Sequence, residues 1–209
     1  MANRGIREEK RAEILDKISQ ICEENHGIAK ASELSEAGID YRKLQSFVEE
    51  GRLLRVRNGY YQMARVTTGE EEIILGQFPD GVLTMASALY VYGALNAKPF
   101  QWSIAVDKNT SKSRFKMEFP NVAPYYTEPE VLSLGVTEVP FGGGSMKIYE
   151  KERLICDCLK YEEKLEREEL QAAMRWFIDG KDKNIEKLLI YARARKVLSK
   201  VQNRIGVWM

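Results

Sequence analysis

The run LLRVRNGYYQM, residues 53–63, leaves the chain little conformational choice. Asn-Gly is the favoured pair for a two-residue hairpin loop, because both central positions ask for positive φ and these residues tolerate it best. Two short strands, about 53–57 and 60–63, are therefore expected to fold about Asn58 and Gly59. Strict alternation would put Arg55 and Arg57 on one face and Leu54 and Val56 on the other. A ribbon with an apolar back and a cationic front is either a solvated edge or a phosphate-reading wing, and what precedes it decides.

Ile14, Leu15, Ile18, Ile21 and Cys22 recur at three- and four-residue steps, which predicts an amphipathic helix over about 7–25, closed by His26 and Gly27. Ile28 and Ala29 read as a short extended piece. Ser32 fits the N-cap of a brief second helix that ends at Gly38. Asp40 caps a third, YRKLQSFVEE, closed by Gly51. Helix, strand, helix, turn, helix, ribbon is the order of a winged helix-turn-helix.

In that third helix Leu44, Phe47 and Val48 form the apolar stripe, so Tyr41, Arg42, Lys43, Gln45, Ser46 and Glu49 are turned outward. Arg, Lys, Gln and Ser can hydrogen-bond base edges or phosphates. The candidate DNA-binding residues are therefore Ser32, Tyr41, Arg42, Lys43, Gln45 and Ser46, with Arg55, Arg57 and Asn58 on the wing. Few phosphates would be neutralised per copy, which predicts modest affinity and cooperative or paired binding on DNA.

Residues 1–66 are thus read as a DNA-binding domain and residues 67–209 as an α+β domain, linked at Thr67, Thr68 and Gly69. The second part is expected to hold helices over 70–95, a small sheet over 100–149 built from β-prone runs such as WSIAV and VAPYYT, and a helical bundle over 150–209. Thr84 is a candidate cap for the apolar helix TMASALYVYGAL.

Charge refines the picture. The chain carries 32 basic and 31 acidic residues, so it is not coated in positive charge. Residues 181–209 nevertheless hold eight Lys or Arg against Asp182 and Glu186, a basic pole. Within it Arg193, Arg195, Lys196 and Lys200 are expected to share one helical stretch, and Lys108, Lys112, Arg114 and Lys116 form a second cluster. Lys112, Arg114, Lys116, Arg193, Arg195, Lys196 and Lys200 are candidate further DNA contacts. The absence of a long apolar run argues against a membrane span, and the charged start and three cysteines suit a reducing, cytoplasmic setting.

Catalytic readings fare poorly. FGGGSMK, residues 141–147, lacks the Lys-Ser/Thr and the following helix of a phosphate loop and reads as a hairpin turn. Cys156 and Cys158 sit two apart on a helix, about 200° around its axis, and read as packing residues. His26, the one histidine, reads as a turn residue, which removes histidine-dependent triads. Asp107 and Glu118 suggest a nuclease-type carboxylate pair, but no Glu-x-Lys accompanies them. No catalytic residue, metal or cofactor is assigned. Arg153 and Asp157 form an i,i+4 pair that is either a surface salt bridge or an interior anchor.

The run GIAKASELSEAGIDYRKLQSFVEEGRLLRVRNGYY, then TMASALYVYGAL, IYEKERLICDCLKYEEKLEREELQAAMRWF and NIEKLLIYARARKV, resembles the AbiEi antitoxins of type IV, abortive-infection toxin–antitoxin systems, in the same order from Gly27 to Val197. The resemblance implies repression of its own operon through winged-helix binding to inverted repeats. It also implies an antitoxic C-terminal domain, and a nucleotidyltransferase-like toxin opposed without a stable complex. A different class of function is a stand-alone repressor whose α+β domain binds an effector among Tyr90, Tyr92, Trp102, Tyr125 and Tyr126.

Overall fold

The computed structural model describes residues 2–64, 69–117 and 119–206, with side chains from residue 8 onward. Thr67, Thr68 and Glu118 lie outside the described residues. The chain divides into two compact units. The first comprises residues 1–79, 116–120 and 141–144, so it runs past the 66/67 boundary expected from sequence; the second comprises the rest.

The first unit opens with α1 (Ala2–Glu24), followed by β1 (Ala29–Lys30), α2 (Ala31–Glu36), α3 (Tyr41–Glu49), β2 (Leu53–Arg57) and β3 (Tyr60–Met63). The strands pair in the order β1-β3-β2, antiparallel throughout. His26 and Gly27 turn the chain after α1 in left-handed conformations, with φ of 55° and 84°. Ile18 and Cys22 of α1, Leu34 of α2, Leu44 and Phe47 of α3, and Leu53 and Tyr61 of the ribbon close one core. Full burial of side chains this size stabilises by about 1.5–3 kcal/mol each, which is what holds α1 and the short α2 and α3 together.

Two details of this unit depart from the sequence reading. The N-cap of α2 is Lys30, not Ser32: Glu33 reaches back to accept the Lys30 N–H at 3.0 Å, so the helix starts earlier and Ser32 lies exposed in its first turn. The wing is not a regular primed turn. Gly59 is left-handed at φ +77° while Asn58 is not, and the register shifts between Arg55 and Arg57. The resulting bulge breaks alternation, burying Leu53 and Val56 and leaving Leu54 48% exposed.

A further helix, α4 (Glu70–Gln77), belongs to the same unit. Its Ile73 is fully buried with Ile28 and Val56, and Tyr60 and Met117 pack against them. The second unit contains β4 (Val82–Leu83), α5 (Met85–Val91), β5 (Trp102–Asp107), β6 (Val122–Thr127), α6 (Pro129–Leu132), β7 (Val136–Phe141) and β8 (Gly144–Tyr149). After these come α7 (Lys151–Lys160), α8 (Arg167–Asp179), α9 (Ile185–Ala194) and α10 (Leu198–Arg204). The β7–β8 tip, residues 141–144, counts with the first unit.

The sheet is mixed, in the order β6-β5-β4-β8-β7, with β4 antiparallel to β5 and parallel to β8. Residues 82–83 form a strand that the sequence pattern does not predict. They are only two residues long, and an apolar pair carries no period. The α+β class expected from sequence is the class observed. Among the described residues no helix is long and apolar enough to cross a membrane.

Candidate nucleic-acid interface

Helix α3 is built to present one face. Asp40 accepts the Lys43 N–H at 3.1 Å, satisfying an otherwise unpaired first-turn donor. Leu44 and Phe47 anchor the helix inward. Tyr41 is then 60% exposed, and Arg42 and Lys43 are exposed beside it. This places a ring and two cations at the helix end where the backbone dipole also favours an anion.

Gln45 and Ser46 are half-buried and engaged within the unit. Gln45 Nε2 donates to the Tyr61 hydroxyl at 3.4 Å. Ser46 Oγ donates to Glu50 at 2.8 Å, and Arg11 of α1 lies 2.5 Å from the same carboxylate. The hydrogen bonds from Ser46 and then Arg11 push the pKa of Glu50 below the usual carboxylate range.

The wing cations separate. Arg55 Nη2 donates to Asn58 Oδ1 at 2.6 Å, so these two candidates form one cluster at the hairpin tip. Arg57 turns elsewhere: its Nε donates to Gln77 Oε1 of α4 at 2.7 Å, and its guanidinium stacks 3.7 Å from the Tyr60 ring centroid. The bulge is the reason the two arginines no longer share a face.

Sequence reasoning missed Tyr61, which joins helix to wing. Its ring is buried in the core, yet its hydroxyl accepts from Gln45 and lies within electrostatic reach of Tyr41 and Arg55. Burial raises its pKa, and the Arg55 charge only partly offsets this. The available signal was the mismatch of a phenol at a core position, which predicts a polar partner for its hydroxyl.

Of the candidate further contacts Lys116 belongs to the first unit and the others to the second, and several are already occupied. Arg114 pairs with Asp80, holding that carboxyl below its usual range through hydrogen bonding. Lys112 and Lys116 are exposed. Arg193, Arg195, Lys196 and Lys200 do not share a helix: α9 ends at Ala194, Arg195 caps it, Lys196 is left-handed at φ +59°, and Lys200 lies on α10. Arg195 is 3% exposed and cannot reach a phosphate, since its Nε lies 2.5 Å from Asp157 Oδ1. Lys200 pairs with Glu162 at 2.9 Å, leaving Arg193 and Lys196 as the exposed members.

The aromatic residues expected to line an effector pocket make several separate ring contacts. Tyr92 stacks on Trp176, Tyr90 meets the buried Trp102 edge-on, Tyr125 meets Tyr161, and Tyr126 meets Phe115. Among the described residues no group of His, Cys, Asp and Glu is placed to hold a metal ion.

Helix α3 with its exposed cationic start, beside a bulged ribbon carrying Arg55 and Asn58, defines a winged helix-turn-helix unit. Residues 16–64 match the family described as "Transcriptional regulator, AbiEi antitoxin". The runs at 84–95, 148–177 and 184–197 that also carry the resemblance lie outside the matched segment. No curated protein matches the chain. Among solved structures it is similar to the RV2827C protein from Mycobacterium tuberculosis, with a TM-score of 0.64 and 12% identity over 90% of this chain and 75% of that one. At that identity the likeness is one of fold.

Proposed function

We propose that the protein is an antitoxin that represses its own operon. Its winged helix binds inverted repeats in the promoter, and its second unit counteracts a nucleotidyltransferase-like toxin without forming a stable complex. The observation that carries the DNA half is the exposed Tyr41-Arg42-Lys43 start of α3, set beside the Arg55–Asn58 wing tip within a segment matching an AbiEi regulator family. The antitoxic half rests on that same family match and on the sequence resemblance. Arg42 and Lys43 meet phosphate or a groove edge, Tyr41 supplies a flat contact, and Arg55 tracks the flanking backbone.

Full-length protein and the double substitution Arg42→Ala/Arg55→Ala are expressed from an unrelated inducible promoter, together with the neighbouring gene of the operon. Growth rescue by both proteins, with promoter binding lost only in the double variant, supports an antitoxin whose second unit works apart from repression. A harmless neighbour, or no rescue by full-length protein, would leave a stand-alone repressor. Truncation at residue 66 is avoided because α4 and residues 116–120 and 141–144 are part of the first unit.

A further inference from the structure

Helix α8 is held in the second unit by one side. Ala173 and Phe177 are buried, and Trp176 stacks on Tyr92 with ring centroids 5.4 Å apart. The side next to it forms, with Arg204 of α10, a groove of about 420 Å³ lined by Arg167, Leu170, Gln171, Met174, Arg175 and Arg204. Leu170 and Met174 are half-buried in its floor, and Arg167 and Arg175 are exposed on its rim. No carboxylate lines it. Among the described residues Arg167 and Arg175 have no ion pair or side-chain hydrogen bond, while Arg204 makes one contact, 3.3 Å from Glu162.

Several basic side chains of the second unit are paired, Lys108 with Glu128, Lys151 with Asp182 and Lys187 with Glu150, whereas Arg167 and Arg175 flank an aliphatic floor without a counter-charge. Arg167 and Arg175, unpaired beside an aliphatic floor, fit a partner that is apolar on one side and acidic at its edges. We infer that this groove docks an amphipathic acidic helix of a partner protein, its leucine-type side chains on Leu170 and Met174 and its carboxylates on Arg167, Arg175 and Arg204.

The chemistry favours protein over nucleic acid. The floor is aliphatic and offers no ring on which a base would stack. Arg167 and Arg175 lie two turns apart on one helix, about 12 Å at 1.5 Å per residue, which is the repeat at which a second helix presents carboxylates along one face. Arginine takes a carboxylate through two parallel N–H donors, and a flexible methionine adapts to the packed side chain. Helix-in-groove docking of this kind is read by anchors at i, i+3/i+4 and i+7. The inference stands apart from DNA binding and from any toxin, since it concerns residues that neither reading uses.

The test uses full-length protein and a fluorescein-labelled synthetic helix with leucines at i, i+4 and i+7 and glutamates flanking them. Poly-glutamate and a single-stranded oligonucleotide of equal charge serve as comparators. Saturable binding of the helix is expected, weakened about tenfold or more in Arg167→Glu/Arg175→Glu, a loss equivalent to one charge-assisted contact. Met174→Asp should weaken it too, with both variants keeping the wild-type melting temperature within a few degrees. Absence of saturable binding, equal binding by the variants, or tighter binding of poly-glutamate or the oligonucleotide would overturn the proposal.

Discussion

Arg195 Nε and Asp157 Oδ1 lie 2.5 Å apart in the interior of the second unit, both residues almost wholly excluded from solvent. Arg153, 0% exposed, approaches the other oxygen of the same carboxylate at 3.3 Å and spends its Nη1 on the carbonyls of Val131 and Leu134. One aspartate thus ties α7 to the end of α9 and, through Arg153, to α6 and the segment after it. Of the two readings left open by the sequence, the interior anchor is the one realised. The spacing could not choose between them, because an i,i+4 pair looks the same on either side of a helix.

Replacing Asp157 with Asn should therefore destabilise strongly, since it leaves two guanidinium groups buried without a counter-charge. Breaking a buried pair in this way costs about 3–5 kcal/mol. Urea unfolding of the full chain measures it, and a loss below about 1 kcal/mol, the worth of a surface pair, would contradict the interior role.

The glycines of the β7–β8 tip give a graded test of packing. A Cβ on Gly142 would sit 2.5 Å from the Glu71 carbonyl carbon and 2.6 Å from the Glu72 nitrogen, in backbone that is left-handed at φ +53°. Gly143 has φ +74°, but only Glu72 Oε1 comes near, at 4.0 Å. Gly142→Ala is expected to cost about 2–4 kcal/mol, combining overpacking with conformational strain. Gly143→Ala should cost about 1–2 kcal/mol from conformation alone. Equal losses at the two sites would show that the α4 backbone does not press on the tip.

The two wing arginines should part in function as they do in geometry. Arg55→Ala, like Arg42→Ala, should weaken promoter binding and flatten its dependence on log salt by about one phosphate each, leaving stability nearly unchanged. Arg57→Ala should instead lower stability by about 1.5–3 kcal/mol, the range for a charge-assisted hydrogen bond, through loss of the Gln77 contact. Electrophoretic shifts at several salt concentrations, set beside thermal melts, separate the two; an unchanged melt for Arg57→Ala would return that residue to the DNA surface.

That contrast also marks where sequence reading succeeded and stopped. The capped α3, its Leu44 and Phe47 stripe and its exposed Arg42 were legible, because caps and a 3.6-residue period are local signals. The Arg57–Gln77 contact was not, since it depends on a bulge and on a helix twenty residues away. Arg193 to Lys200 misled for a related reason. A residue type reports charge, but only the left-handed break at Lys196 and the tertiary partner Asp157 decide which of the cations face water.

The thiols supply a prediction at the alkaline end. Cys22 and Cys156 are buried, and desolvation lifts their pKa from 9.0 to about 11 and about 12, with Cys158 also raised well above its ordinary value. The folded state therefore keeps a proton that the unfolded state gives up. The stability linked to these groups is fully present below pH 9 and is lost as the pH rises from there toward the folded values, because only the unfolded chain gains by ionising. Unfolding free energy measured from pH 8 to 11 should fall, and Cys156→Ala/Cys158→Ala should fall less steeply from its own lower starting value. Native protein at pH 8 should react with a thiol reagent only at the rate of unfolding, since reaction needs an exposed thiolate. Fast labelling of any of the three without denaturant would place that thiol outside the core.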